Sequence, residues 1–513
     1  MKLLFYIQRL EDAHLAHALA LYFKEQLGAT AFSALSFREQ PEQAYLAQET
    51  QGLFSQLLSE TQMYRAAETA TLEPDFIASI ESRYGLPFWL YVSQDRFLTM
   101  RRANYLFSYG TAHSRESLQK HIQMRFKMTE RFLDEVKPDA VVYVGVDVGP
   151  SSALILERVA KARGIPVIVP LSSKIGAYHT LIDTVFSRAK NVEARFAALQ
   201  AGLISHNAQK SKDVIASFRE GNLVLPYIKD VKVGQYQKAL KPAEMLRRLK
   251  SIARLRWQAG GVYHQKHQDI YNLSQLEYEL FRLGIEYRNL RLKFGNYFSQ
   301  PKEESFVFFP LHLEPELALL LYAPYQANQL AVVQNVAQSL PADVCLYVKE
   351  HPQSVAKKGL EFYRRIATMP NTRSIYPHTS SRSLIANARG IVTINSTVGM
   401  EAMLMGKPAV TLGDVFYTFV DKLVWRAKSH EDLPAMIRQF DAFKPDEKML
   451  ETFVTALLDE SIEVDPEVLA RDLSKLPLEQ KAQHPDFEPY AHFLANHLMY
   501  LKADLSPLSL VAS

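Results

Sequence analysis

SFVFFPLHLEPE (residues 305–316) and GIVTINSTVGME (390–401) each read as a short apolar strand that runs into polar residues and then a helix start. VCLYVKEHP (344–352), TRSIYPHTSS (372–381) and AVTLGD (409–414) repeat the construction, and the five apolar runs stop at His312, His351, His378, Asn395 and Asp414. Short apolar runs alternating with helical stretches predict a parallel sheet with helices on both faces. Ligands of such sheets bind beyond the carboxyl ends of the strands, where loop side chains and helix N-termini converge. Five polar strand ends therefore describe a site.

Working outward, a chain of 513 residues exceeds what one hydrophobic core usually supports, so two domains are expected. Hydrophobic residues make up 48% and charged residues 22%, which excludes a disordered or fibrous class. The net charge of +4, from 59 basic and 55 acidic residues, is too slight to predict nucleic acid as a partner. Cys345 is the only cysteine and lies inside an apolar strand, so no internal disulfide can form and a cytoplasmic location is expected. The N-terminal MKLLFYIQRLEDAH carries an apolar run too short for a signal peptide and reads as a first strand. No stretch approaches the roughly 20 apolar residues of a membrane span, so any membrane contact is expected to be peripheral.

Along the chain, a strand is expected at Lys2–Ile7, a helix over about Glu11–Gln26 and a second strand at Thr30–Leu35. Residues 41–131 read as mostly helical and rich in aromatics. A strong strand, Ala140–Val146, ends at Asp147; Gly149-Pro150-Ser151-Ser152 then opens a helix, and Ile165–Val169 completes a βαβ unit. The pattern turns helical and charged over about 188–297, and the second α/β domain opens near 301, after a linker at Ser299-Gln300-Pro301-Lys302. The expected division is thus 1–300 with a helical insertion, 301–465, and a helical tail, 466–513, packing back on the first domain. Two Rossmann-like α/β domains facing a cleft constitute the GT-B architecture, common among sugar transferases with nucleotide donors.

Asn395, Ser396 and Thr397 stand where the strand GIVTIN delivers the chain to a helix that Gly406 and Pro408 stop. Backbone amides and the helix dipole favour an anion there, and the Ser396 and Thr397 hydroxyls suit phosphate oxygens; equally, a Ser or Thr at this position caps a helix with no ligand at all. Glu401 lies four residues after Thr397, outside the three-residue spacing of a capping box. Its carboxylate suits a ribose diol, although acidic residues are also favoured near the positive end of a helix. Pro352 disfavours helical backbone at His351 and holds that imidazole at the sheet edge. A protonated His351 there would stabilise charge on a departing phosphate, and Lys349 either assists it or points to solvent. His312 and Glu314 occupy the first strand end of the second domain, in a turn fixed by Pro310 and Pro315, and either line the cleft or grip a donor.

PLHLEPE, VKEHP and NSTVGMEAMLMGKPAVTLG resemble the bacterial capsule polysaccharide biosynthesis family that includes the β-Kdo transferases, over about Phe306–Gly413. The resemblance implies a GT-B fold, a nucleotide-sugar donor of the CMP-Kdo kind and a donor site containing His351, Ser396 and Glu401. It implies an enzyme that adds a sugar to a glycan or lipid-linked acceptor. The chain lacks the Asp-x-Asp triplet of metal-dependent GT-A enzymes, so the expected reaction needs neither metal nor other cofactor. Inverting transfer requires a general base in the first domain, for which Asp147 is the candidate, with helix capping as its alternative. A nucleotide-sugar epimerase of the same architecture and a teichoic-acid-type glycerophosphotransferase remain open. The segment 238–256, with Lys238, Lys241, Arg247, Arg248, Lys250, Arg254 and Arg256 against Glu244 alone, reads as a basic amphipathic helix. It suits the anionic inner face of a membrane, an acidic glycan, or simply solvent.

Overall fold

A computed structural model describes residues 1–99, 113–145, 151–223, 242–258, 275–314 and 316–503. The chain forms two compact α/β units, one comprising 1–98, 112–213 and 451–513, the other 99–111 and 214–450.

In the first unit the strands are β1 (Lys2–Ile7), β2 (Ala31–Ser36), β3 (Phe54–Ser59), β4 (Ala140–Tyr143), β5 (Val167–Ser172), β6 (Tyr178–Ile182) and β13 (Ser461–Glu463). Their order in the sheet is β13-β6-β5-β4-β1-β2-β3. The run Leu3–Ile7 is wholly buried, as a central strand covered on both faces requires. Helix α1 (Leu10–Leu27) follows, and Gly28 ends it with φ +59°, a left-handed conformation that costs glycine little. β5 to β6 and β6 to β13 are antiparallel, and the other pairs are parallel. Strand β3 falls within the stretch expected to be mostly helical. FSQLLS lacks a clean alternation because it is an edge strand with Ser55 and Gln56 exposed, so no buried period marks it.

In the second unit β7 (Phe306–Pro310), β8 (Cys345–Lys349), β9 (Thr372–Ile375), β10 (Gly390–Thr393), β11 (Ala409–Thr411) and β12 (Trp425–Arg426) are ordered β12-β11-β10-β7-β8-β9. Every pairing is parallel. Read from the first strand of each unit, both sheets follow the order 3-2-1-4-5-6, that of a Rossmann fold. The chain is therefore α/β with two Rossmann-like sheets.

The division departs from the sequence expectation in two places. Residues 214–300 group with the second unit, because Ile285 and Leu292 of the long helix Gln275–Phe294 are buried in its core. The return to the first unit begins at 451 rather than 466: β13 adds to β6, and Leu469, Leu473, Leu494 and Leu498 join Ala13, Ala16 and Leu19 in one apolar cluster.

Candidate functional site

In the second unit the chain runs β7-β8-β9 to one side, then returns to lay β10 against the other side of β7. The loops after β7 and β10 therefore part at the switch point, the position at which open α/β sheets bind ligands. His312 follows β7 and Asn395 follows β10. They meet there: the Asn395 backbone N–H donates to His312 Nε2 at 3.4 Å. With Nε2 accepting, the His312 proton falls on Nδ1, which lies 3.8 Å from a Glu316 carboxylate oxygen.

The loop is held from α2 (Gln329–Gln338), whose buried Gln329 accepts from the His312 N–H at 2.7 Å and donates to the His312 carbonyl at 3.2 Å. Gln329 also donates to Glu314, and Lys358 lies 3.7 Å from the same carboxylate. Glu314 thus serves the loop's own scaffold. Pro315 lies outside the described residues.

Helix α3 (Thr397–Leu404) starts directly after Ser396. The Ser396 hydroxyl oxygen accepts from the Val398 N–H at 3.2 Å, and the Gly399 N–H bonds the Ser396 carbonyl at 3.0 Å. The capping alternative for Ser396 is therefore met, and two first-turn amides expected to face an anion are engaged. What remains at this corner is the Ser396 O–H as a donor and the Asn395 side chain. Asn395 is buried; its Nδ2 donates to the Ala318 carbonyl at 2.7 Å, while Oδ1 has no hydrogen-bond partner. A buried amide oxygen without a partner costs about 1–3 kcal/mol and is an acceptor awaiting a donor.

Lys349, at the end of β8, does not point to solvent. It is 8% exposed, and its Nζ donates to Ser381 Oγ at 2.5 Å. Burial pushes its pKa down to about 8, against the attraction of Glu401. Glu401 is itself buried on α3, among the charges acting on Lys349 and on the Tyr417 hydroxyl.

His351 is half-buried rather than presented, and its Nδ1 accepts from the Gln353 N–H at 3.2 Å. Burial drives its pKa down to about 4; Glu316 opposes this, while Lys349 and His312 reinforce it. The expected protonated imidazole is accordingly corrected to a neutral one whose proton sits on Nε2, a hydrogen-bond donor without charge. Pro352 opens the short turn Pro352–Ser354 that supplies the Gln353 amide.

Of the residues read from sequence, His312, Lys349, His351, Asn395, Ser396, Thr397 and Glu401 gather at the ends of β7, β8 and β10. Asp147 lies outside the described residues. Asp414 pairs with Arg426 at 2.6 Å. Sequence reasoning missed Gln329, Ser381, Tyr417 and the buried group Glu350, Lys358 and Tyr363, in which Lys358 Nζ lies 3.2 Å from both Glu350 oxygens and Tyr363 donates to Glu350 at 3.2 Å. The TSSRS run after β9 was a signal for Ser381; nothing local marked Lys358 or Tyr417. Among the described residues no three His, Cys, Asp or Glu side chains group as metal ligands.

Residues 226–458, which contain this whole arrangement, match the capsule polysaccharide biosynthesis protein family. Within that segment the motifs VKEHP and NSTVGME stand at the ends of β8 and β10. Curated relatives include protein FixF of Sinorhizobium fredii (strain NBRC 101917 / NGR234), 34% identical over 155 residues, 29% of this chain and 36% of the relative. The capsule polysaccharide export protein KpsS of Escherichia coli is 28% identical over 134 residues, 25% of this chain and 32% of the relative. The chain thus matches about a third of the length of these relatives. Similar solved structures include the β-Kdo 2,7 transferase KpsC of Thermosulfurimonas dismutans, with TM-score 0.31 and 13% identity over 68% of this chain and 81% of that one. The UDP-GlcNAc 2-epimerase of Methanocaldococcus jannaschii gives TM-score 0.28 and 13% identity over 90% and 99%.

Proposed function

We propose that the chain is a glycosyltransferase of capsule or surface polysaccharide synthesis, inverting and independent of metal, with CMP-Kdo as its favoured donor and a glycan or lipid-linked saccharide as acceptor. The observation that carries this reading is the meeting of His312 and Asn395 at the β7–β10 switch point, with the His351 imidazole, the Lys349 ammonium and the Glu401 carboxylate close by. In this reading the acceptor oxygen forms the bond to the anomeric carbon as that carbon's bond to the donor phosphate breaks, and the acceptor proton passes to a first-unit base, for which Asp147 stays the candidate. The negative charge left on the phosphate meets the His351 Nε2–H, the Ser396 O–H and Lys349, donors fixed before the reaction begins. Asn395 Oδ1 accepts from a donor N–H or O–H, and Glu401 holds the ribose diol.

The test is a panel of CMP-, UDP- and GDP-sugars scored for thermal stabilisation and for release of nucleotide with and without a saccharide acceptor. A ligand that binds only the folded chain raises its melting temperature. Stabilisation by one nucleotide class and acceptor-dependent release support transfer. Isomerised sugar in the absence of acceptor would establish an epimerase, and no stabilisation by any donor would sink the reading.

A further inference from the structure

Helices α4 (Pro242–Gln258) and α5 (Gln275–Phe294) of the second unit pack on one another, tied by an Arg248–Glu279 ion pair at 3.0 Å that is largely shielded from water. Ile252 is buried on α4; Ile285 and Leu292 carry α5 into the core, and the Arg288 guanidinium holds it there by donating to the Ala356 carbonyl at 2.6 Å. On α5 the opposite stripe is bare, and on α4 the flank beside Ile252 is bare as well. Leu246 and Leu249 on α4, and Leu280, Tyr287, Leu290 and Phe294 on α5, are exposed, Phe294 by 80%. The spacings 246/249 and 280/287/290/294 each lie on one side of a helix. Arg247, Lys250, Arg254, Arg291 and Lys293 are exposed beside them, and among the described side chains of these two helices every exposed charge is positive.

Water solvates the cations but gains nothing from six large bare apolar groups, and an acidic glycan would pair with the cations yet leave Leu246, Leu249 and Phe294 without a partner. A bilayer containing anionic lipid satisfies both at once: lipid phosphates take the cations while the apolar side chains enter the headgroup boundary. We infer that the α4–α5 pair is a docking surface for an anionic membrane, lying in its interface. No helix among the described residues is long and apolar enough to cross a membrane, so the contact is peripheral. This inference rests on the surface alone and is independent of the transferase reading.

The full chain is mixed with vesicles of phosphatidylcholine alone and of phosphatidylcholine with phosphatidylglycerol, then sedimented. Binding is expected only to the mixed vesicles, and it should weaken at least roughly tenfold in the Arg247→Glu/Lys250→Glu/Arg254→Glu variant and with added salt. A Leu249→Ser/Phe294→Ser variant should lose binding as well, and circular dichroism melts of both variants should match the parent because the substituted side chains are exposed. Tryptophan introduced as Phe294→Trp gives a readout in an otherwise intact chain: its emission should shift to shorter wavelength on mixed vesicles. No sedimentation, or full binding by a folded charge-reversed variant, would overturn the inference. So would binding to soluble polyanionic glycan without vesicle binding, or a concentration-dependent dimer that Leu249→Ser/Phe294→Ser dissolves.

Discussion

At the residue scale, the proposed chemistry turns on two side chains whose pKa values burial pushes below their ordinary range. His351 stays neutral because it is buried among Lys349 and His312, and Lys349 is a buried cation poised near pH 8. Replacing His351 with Ala should cut transfer by roughly 100-fold, the range for losing one preorganised donor, while the melting temperature stays close to that of the parent. Glu401→Ala should weaken donor binding with the fold retained; unfolding of both variants would instead mark the residues as structural. Above pH 8 Lys349 loses its proton and with it its attraction for a phosphate. KM for the donor should therefore rise through that pH, and the rise should be absent in Lys349→Met. The motifs HP and NST were legible in the sequence because strand ends and Pro352 restrict them locally. The charge states of His351 and Lys349 were not, since burial comes from distant segments: Lys349 meets Ser381 from thirty-two positions away.

At the element scale, the site depends on how α3 is seated. A Cβ on Gly399 would lie 2.5 Å from the Tyr417 hydroxyl, which donates at 2.5 Å to the carbonyl of the capping Ser396. Gly399→Ala is expected to cost about 1–3 kcal/mol by overpacking. In a Tyr417→Phe background, where the clashing oxygen is gone, the same substitution should cost less, although Tyr417→Phe alone forfeits about 1 kcal/mol of hydrogen bonding. A denaturant-melt double-mutant cycle measures the difference, and additivity would contradict this seating. Elements with strong periods were readable: Lys2–Ile7 and the five strands ending in polar residues stand where apolar runs place them. Strand β3 escaped because an edge strand with exposed Ser55 and Gln56 carries no buried stripe, and Tyr417 escaped because its partner Ser396 lies 21 positions away, beyond α3 and β11, where no spacing rule links them.

At the scale of the whole molecule, histidines wholly or partly buried govern the response to acid. His14, His17, His351 and His497 are driven down to about 4, and His121 to about 3, in each case chiefly by burial. In the unfolded chain these imidazoles take up protons near their ordinary 6.5, whereas the folded ones resist until about 4. Between those values the unfolded state binds more protons, so stability falls as pH falls. Asp12, raised to about 6 by burial, and Glu460, also raised by burial, work in the opposite direction but are two groups against these five. Calorimetric melts should move to lower temperature from pH 6.5 to pH 4, and a flat profile would contradict the burial assigned to these histidines. Two α/β units were legible from composition and alternation. Their boundaries at 214 and 451 were not, because only packing reveals which core Leu292 and Leu469 enter.

The return of residues 451–513 to the first unit has a consequence for synthesis on the ribosome. Ala13, Ala16 and Leu19 of α1 are covered by side chains made hundreds of residues later, Leu469, Leu473, Leu494 and Leu498. The first unit therefore emerges with an uncovered flank that stays open while everything between is translated. A nonsense codon near 450 would leave that flank bare permanently, marking the nascent chain for chaperones.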